Sequence, residues 1–229
     1  MLDKTVIDAT QKKLSEEMKN PVTLIHFTQE PSRLALPDHI KAQECRFCKE
    51  TKSLIQEVCS LSDNLDLEIL DFSEDKKPID TYRIDKIPAT VIMGNKDHGI
   101  RFFGIPSGYE YGSFIEAILD VSRGSTNLKT DIKTALQEIK TDVHLQVFTT
   151  PTCPYCTMAV RTAHQFAVES ESIRSDMVEA TEFPHLVQKY NVAGVPKTII
   201  NETTSFEGAV PEKTFLDQIV QALSPGEKE

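Results

Sequence analysis

The chain has 229 residues, of which 39% are hydrophobic, and a formal net charge of −10. Its length suits one large domain or two small ones, and its acidic balance argues against a general affinity for nucleic-acid phosphates or anionic lipid. No apolar run approaches the roughly 20 residues of a membrane-spanning helix, and residues 1–20 form an amphipathic pattern without the apolar core of a leader. We therefore expect a cytoplasmic protein that binds neither nucleic acid nor a membrane.

The first half of the chain alternates between helical and strand-like periodicities. A CRFC motif at 45–48 opens one of its helices, and a proline at position 88 precedes one of its strands. In chain order, the predicted elements are a helix at 3–19, a strand at 22–28, the CRFC helix to about residue 61, a strand at 67–72, a helix at 76–84, a strand at 89–93, a strand near 99–104 and a helix at 112–121.

The second half repeats this series after a small, polar segment at 122–127. Its predicted elements are a helix at 128–139, a strand at 143–149, a helix opened by a CPYC motif, a strand at 176–180, a helix at 183–190, strands at 197–201 and 204–208, and a helix at 213–222. In both halves 43 positions separate the first motif cysteine from the proline that follows, Cys45 from Pro88 and Cys153 from Pro196. The match predicts a tandem duplication, with units at 1–122 and 123–229.

Four of the five cysteines form the two CxxC pairs. In a reducing compartment, paired thiols are more often redox-active or metal-binding than structural. The motifs lie 108 positions apart, each in its own repeat, which disfavours one four-cysteine zinc site and predicts no metal. A disulfide between positions i and i+3 removes little unfolded-state entropy, which disfavours a purely structural role. The fifth cysteine, Cys59, is predicted to pack as a small apolar side chain, with a regulatory thiol as the alternative.

The order β-α-β-α-β-β-α, with CxxC after a strand and a proline before a hairpin, resembles thioredoxin. Two such units, with the segments YRIDKIPAT, TPTCPYC, DMVEA and VPK, resemble the protein disulfide oxidoreductases of thermophilic archaea and bacteria, also called two-domain glutaredoxin-like proteins. The resemblance implies an α/β protein with two tandem thioredoxin-like folds, each a mixed central sheet flanked by helices. It also implies a thiol–disulfide oxidoreductase acting on protein disulfides by reduction, oxidation or isomerisation.

The same resemblance implies a flavin-dependent thioredoxin reductase-like protein as the electron source, and no cofactor beyond the redox-active disulfides. A thiolate is the attacking species in disulfide exchange. Cys153 would lie at a helix N-terminus, whose N–H groups stabilise an anion, and Pro154 occupies an early helix position that needs no N–H donor. Cys153 is therefore the predicted attacking residue and Cys156 the resolving one. Cys45 and Cys48 take the same roles in the first unit, with the second site expected to dominate.

The predicted substrate-binding residues lie within the motifs and at the two prolines. In the motifs, a positive or aromatic side chain adjoins the reactive cysteines. The resemblance implies that both prolines form cis peptide bonds and that the residue before each presents its backbone to an extended substrate segment. The residues are Arg46, Phe47, Pro154 and Tyr155 in the motifs, and Ile87, Pro88, Val195 and Pro196 at the prolines.

The two halves differ immediately before their motifs. Five positions separate Phe148 from Cys153, whereas eighteen separate Phe27 from Cys45, so an insertion occupies about 29–44. Its two prolines favour a loop or short helix. The insertion is either a flap that shields the first site or selects its substrates, or a tolerated surface loop.

Candidate proton acceptors are few. Thioredoxin carries an acid six residues before its first active cysteine, and Val147 takes that place in the second unit, so this proton relay is missing. Glu68 and Glu179 lie near strand ends, and either is a candidate acceptor, although an exposed strand carboxylate is the commoner case. The segment FEGAVPEK lacks the Gly-Gly pair and acid with which glutaredoxins hold glutathione, which argues against glutathione dependence.

Two other functions remain open from the sequence. One is the electron-relay module of a peroxide-reducing system, which also uses tandem thioredoxin-like units but usually keeps one CxxC motif. The other is a client-binding chaperone or scaffold that uses the fold without redox turnover. The intact thiols of both motifs disfavour it.

Overall fold

The computed structural model describes residues 2–30 and 45–224, in which eight helices and eight strands alternate. The helices are α1 (Lys4–Glu17), α2 (Cys48–Cys59), α3 (Lys76–Tyr82), α4 (Glu110–Arg123), α5 (Thr130–Glu138), α6 (Cys156–Glu169), α7 (Pro184–Lys189) and α8 (Glu212–Leu223). The strands are β1 (Val22–Thr28), β2 (Leu65–Asp71), β3 (Ala89–Met93), β4 (Asp97–Phe103), β5 (Val143–Thr149), β6 (Ile173–Glu179), β7 (Lys197–Ile200) and β8 (Thr204–Glu207). Within the described ranges, no helix has the length and apolarity to cross a membrane.

The predicted elements are confirmed in number and order over the described residues, with shifts at their ends. β4 begins at Asp97, inside the segment predicted as a turn, because Asp97 pairs with Met93 across the hairpin. The Asp97 carboxylate also accepts a hydrogen bond from Nη2 of Arg101 at 2.6 Å. β6 begins at Ile173 rather than near residue 176, because its pairing with β5 extends back to Val143.

Each half contributes four strands in the same arrangement. In the first, β1 pairs with β2 in parallel and with β3 antiparallel, and β3 pairs with β4 antiparallel. In the second, β5 pairs with β6 in parallel and with β7 antiparallel, and β7 pairs with β8 antiparallel. Helices cover both faces, so the predicted α/β class with two thioredoxin-like folds is confirmed.

The two units share one sheet rather than forming two separate ones. β4 of the first unit pairs in parallel with β6 of the second, and the strand order is β2-β1-β3-β4-β6-β5-β7-β8. The carboxyl ends of β4 and β6 therefore meet at one edge of the sheet. Both CxxC motifs follow the carboxyl ends of central strands, β1 and β5, so this edge also positions the two motifs.

Aromatic packing fills the junction between the units on one face of the sheet. The Phe102 ring of β4 contacts Phe114 of α4 and His164 of α6, with ring centroids 5.0 and 4.8 Å apart. Nδ1 of His164 hydrogen-bonds to Oγ of Ser175 at 2.8 Å. Burial lowers the pKa of His164 to about 3, so its imidazole is neutral at physiological pH.

The predicted insertion at 29–44 falls outside the described residues except at its start. Glu30 forms an ion pair with Lys52 of α2 at 2.5 Å. The flap and surface-loop interpretations therefore stay predictions.

Candidate active site

The second CxxC motif connects β5 to α6. Cys156 is the first residue of α6 and has no exposed surface, whereas Cys153 in the preceding loop is half-buried. Their sulfurs are joined as a disulfide, with Cα atoms 5.4 Å apart, inside the range that disulfides require. An outer cysteine within reach of other molecules and an enclosed partner are the arrangement that an attacking and a resolving residue need.

The loop before β7 closes over this motif. The Val195–Pro196 peptide bond is cis, and the carbonyl oxygen of Val195 lies 3.7 Å from Sγ of Cys153. Pro196 is buried, and its own carbonyl accepts a hydrogen bond from the N–H of Gly208 at 2.8 Å. The predicted cis bond is confirmed, and the Val195 backbone borders the sulfur that a substrate would contact.

Exposed apolar side chains surround the second motif. Tyr155, within the motif, is 68% exposed, and Met158, one turn into α6, is 59% exposed. Tyr109 of the first unit is 55% exposed. Its N–H donates to the carbonyl of Pro151 at 3.0 Å, and its own carbonyl accepts from Oγ1 of Thr157 at 3.0 Å. The first unit thus contributes to the surface around the second motif.

The first CxxC motif has the same local geometry. Cys48 is the first residue of α2 and is 1% exposed, whereas Cys45 is half-buried. They form a disulfide with Cα atoms 5.5 Å apart. The Ile87–Pro88 bond is cis, as predicted.

The remaining motif residues differ between the sites in charge. The guanidinium of Arg46 is exposed and lies 5.3 Å from the centroid of the Phe47 ring, whereas Pro154 and Tyr155 carry no charge. A cation beside the first pair favours a thiolate there. Among the described residues, no three His, Cys, Asp or Glu side chains converge as a metal site would require, and each motif forms its own pair.

Comparisons with known proteins agree with this geometry. The thioredoxin domain family matches residues 143–221. A protein disulfide oxidoreductase from Aeropyrum pernix K1 superposes with a TM-score of 0.85 at 29% identity, over 97% of this chain and 94% of that one. The chain has the tandem thioredoxin-like fold of that oxidoreductase.

Alkyl hydroperoxide reductases contain the same pair of units. The NTD_N/C domain of the alkylhydroperoxide reductase AhpF from Enterococcus faecalis superposes with a TM-score of 0.84 at 20% identity, over 96% of this chain and all of that domain. The alkyl hydroperoxide reductase of Pseudomonas aeruginosa is 25% identical over 171 residues, which cover 75% of this chain and 31% of that protein. This chain spans about a third of the length of the curated relatives that it matches.

The structure places one acidic residue at the second site that sequence reasoning missed. Glu110, the first residue of α4 in the first unit, is fully buried. Its Oε2 accepts from Oγ of Ser113 at 2.8 Å, and its Oε1 is buried without a partner. Burial raises the pKa of Glu110 to about 7. Tyr109 ties this carboxyl group to the loop and helix that carry Cys153 and Cys156.

Two candidate residues differ from their expected surroundings. Glu179 is 1% exposed rather than an exposed strand carboxylate, because β6 lies inside the shared sheet; Glu68, on the outer strand β2, is exposed as expected. Cys59 packs against the core but is half-buried rather than enclosed. Burial and the nearby Asp66 charge raise its pKa to about 12, which makes it a poor nucleophile.

Proposed function

We propose that this chain is a thiol–disulfide oxidoreductase that acts on protein disulfides through both CxxC pairs, with Cys153–Cys156 as the dominant site. The carrying observation is the second site itself: a half-buried Cys153 beside the Val195 carbonyl, with a fully buried Cys156 behind it. An extended substrate segment would pair with the Val195 backbone, and its apolar side chains would contact Tyr155 and Met158.

The reaction transfers two electrons from the reduced pair to a substrate disulfide. The Cys153 thiolate attacks one substrate sulfur, a mixed disulfide forms, and the other substrate sulfur leaves as a thiolate that takes up a proton. Cys156 then loses its proton and attacks Sγ of Cys153. This step restores the Cys153–Cys156 disulfide and releases the second substrate thiol. The reverse sequence oxidises a substrate dithiol.

The proton that Cys156 loses needs an acceptor inside the protein, because Cys156 has no contact with solvent. Glu110 is buried in the neighbouring segment, and its pKa of about 7 suits exchange near neutral pH. We assign the acceptor role to Glu110, which supplies from the first unit the acid that Val147 cannot.

The Cys45–Cys48 pair would assist the second site or relay electrons to it. Regeneration of a reduced pair requires a dithiol donor. A flavin-dependent thioredoxin reductase-like protein is the proposed one, supported by the likeness to the alkyl hydroperoxide reductase of Pseudomonas aeruginosa.

The test is insulin-disulfide reduction with dithiothreitol as the donor. Replacing Cys153 by Ser should abolish the catalysed rate, because no attacking sulfur remains at the dominant site. The matched variant, Cys45→Ser, should keep most of it. Equal rates for Cys153→Ser and the wild type would overturn the assigned dominance, and an uncatalysed background rate for the wild type would overturn the function.

A second candidate function is electron relay to a peroxide-reducing enzyme. The match to the alkyl hydroperoxide reductase of Pseudomonas aeruginosa over 75% of this chain favours it. Under this function, the reduced protein would pass its electrons to an oxidised peroxiredoxin at least about tenfold faster than to insulin, a difference of about 1.4 kcal/mol in the barrier. Comparable rates would favour the general oxidoreductase.

A further inference from the structure

Two carboxyl groups lie side by side where the second unit meets the first. Glu179 ends β6, and Glu182 follows in the turn before α7. This turn packs on Gly104 and Ile105 of the first unit: the Ile105 N–H donates to Oε1 of Glu182 at 2.7 Å. A Cβ atom at Gly104 would lie 2.5 Å from Cβ of Glu179 and 2.9 Å from Oε1 of Glu182, so only glycine permits this approach.

Each carboxyl group has one satisfied oxygen and one that is not. Oε2 of Glu179 accepts from Oγ1 of Thr181 at 2.6 Å and from the Glu182 N–H at 2.8 Å. Oε1 of Glu179 and Oε2 of Glu182 are buried without a partner. Among the described residues no basic side chain pairs with either group. Two full charges here would be unfavourable, because buried like charges repel and lack solvation.

The surrounding charges act in one direction. Burial, reinforced by the negative charges of Glu179 and of Glu50 in α2, raises the pKa of Glu182 to about 7. The nearest basic group on the adjoining loop is Lys86, which lies 3.8 Å from the centroid of the Phe103 ring and pairs with Asp85 at 2.6 Å. It is therefore already neutralised.

The carboxyl pair is linked to the first CxxC site by two routes. Gly104, against which both groups pack, donates its N–H to the carbonyl of Pro88 at 2.9 Å, and Pro88 is the cis-proline of the first unit. Glu50, which interacts electrostatically with Glu182, lies two residues after Cys48 in the first turn of α2. The second unit thus places an ionisable pair next to the first site.

We propose that Glu179 and Glu182 hold one exchangeable proton beside the first CxxC site, and that the charge of this pair sets the reduction potential of Cys45–Cys48. The inference rests on the proposed function, since it requires a redox-active first pair. Reduction breaks the S–S bond, takes two electrons from the dithiol donor and leaves Cys45 partly as a thiolate. A doubly charged carboxyl pair repels that thiolate and makes the disulfide harder to reduce, whereas a singly charged pair repels it less.

The test measures the reduction potentials of both pairs between pH 5.5 and 8.5. The protein is equilibrated in dithiothreitol buffers, its thiols are alkylated, and each pair is followed by peptide mass. The variant is Glu182→Gln, which keeps the oxygen that accepts from the Ile105 N–H. Glu68→Gln, at an exposed position on β2, is the matched control, and Cys153–Cys156 in the same molecule is the internal one.

Above pH 7, Glu182→Gln should shift the dithiothreitol equilibrium of Cys45–Cys48 about tenfold toward the reduced form, which is about 30 mV for a two-electron couple. The difference should vanish below pH 6, where Glu182 is protonated in the wild type. Glu179→Gln should move the pH midpoint of the effect downward, because one negative neighbour of Glu182 is removed. Cys153–Cys156 should not shift.

Two outcomes would overturn the inference and are distinguishable. Reversible transitions at both pairs, with superimposable profiles for the wild type and Glu182→Gln, would reject the role of the carboxyl pair alone. An equal shift at both CxxC pairs would do the same, since it would show a general change in the fold. If neither pair has a reversible transition in any variant, the proposed oxidoreductase function fails as well.

Discussion

Oγ1 of Thr157 donates a hydrogen bond to the carbonyl of Tyr109 at 3.0 Å, and this bond joins the two units at the second active site. Thr157 follows Cys156 in α6, and Tyr109 precedes Glu110 at the start of α4. The proposed proton acceptor and the cysteine that it serves therefore belong to different repeats. The first unit is part of the catalytic apparatus of the second, whatever the activity of its own CxxC pair.

The first prediction concerns the rate at which the mixed disulfide is resolved. Replacing Glu110 by Gln should slow this step on the order of 10²-fold at pH 7, the usual effect of removing a general base. It should also remove the rise in rate that the wild type shows as the pH increases through about 7, where Glu110 ionises. Single-turnover trapping of the Cys153 mixed disulfide, from pH 5.5 to 8.5, measures both effects.

The control for this prediction is the equivalent helix start in the other repeat. Glu212 is the first residue of α8, as Glu110 is of α4. Glu212→Gln should leave both the rate and its pH dependence unchanged. A Glu110→Gln variant with a wild-type pH profile would show that Cys156 loses its proton to another group.

The second prediction concerns stability. The pKa of Glu110 is raised from 4.5 to about 7 by burial, so the folded protein holds a proton that the unfolded chain releases above pH 4.5. This contribution is complete below pH 4.5 and is lost as the pH rises to about 7; it is on the order of 3 kcal/mol. Glu110→Gln removes it, so the free energy of unfolding should fall less with pH than in the wild type, and the variant should be the more stable at pH 8.5.

Urea unfolding at pH 5 and pH 8.5 measures this difference directly. Glu182 has a raised pKa too and keeps part of the pH dependence in the variant. Parallel stability curves for the wild type and Glu110→Gln would mean that Glu110 is ionised in the folded protein at neutral pH.

The third prediction uses two glycines with similar backbones and different surroundings. Gly108 has φ +60, and a Cβ there would lie 2.2 Å from the carbonyl oxygen of Pro151, which precedes the second motif. Gly124 has φ +65 and nothing within 4 Å of the same position. Gly124→Ala should lower the free energy of unfolding by about 1–2 kcal/mol, from backbone strain alone. Gly108→Ala adds a clash with backbone and should cost more.

The two variants should also differ in activity. Gly108→Ala displaces Tyr109 from Pro151, so the insulin-reducing rate should fall, whereas Gly124→Ala should keep the wild-type rate. If both variants lose the same stability and neither loses activity, the contact between residues 108 and 151 does not position the second site.

How much the sequence predicts depends on whether a feature is local. The strands at 22–28 and 143–149 lie where their apolar runs predict them, and the cis bonds at Pro88 and Pro196 lie where the matched spacing and the resemblance imply them. The pairing of β4 with β6 has no local signal, because any two open strand edges are compatible with the pattern. The burial of Glu110 and Glu179 depends on that pairing and on contacts between the repeats, so no sequence signal distinguishes either from an ordinary acidic residue.

The last prediction tests whether the shared sheet makes the two units fold as one. Phe102 of β4 is fully buried between Phe114 of its own unit and His164 of the other. Phe102→Ala should lower the free energy of unfolding by about 3–5 kcal/mol, the usual cost of such a cavity. Because β4 and β6 belong to one hydrogen-bonded sheet, the slowest-exchanging amides of β1 and of β5 should lose protection to the same extent. Hydrogen exchange followed by mass spectrometry measures both strands in one sample. Loss of protection in β1 with β5 unchanged would instead show that the second unit keeps its stability without the first.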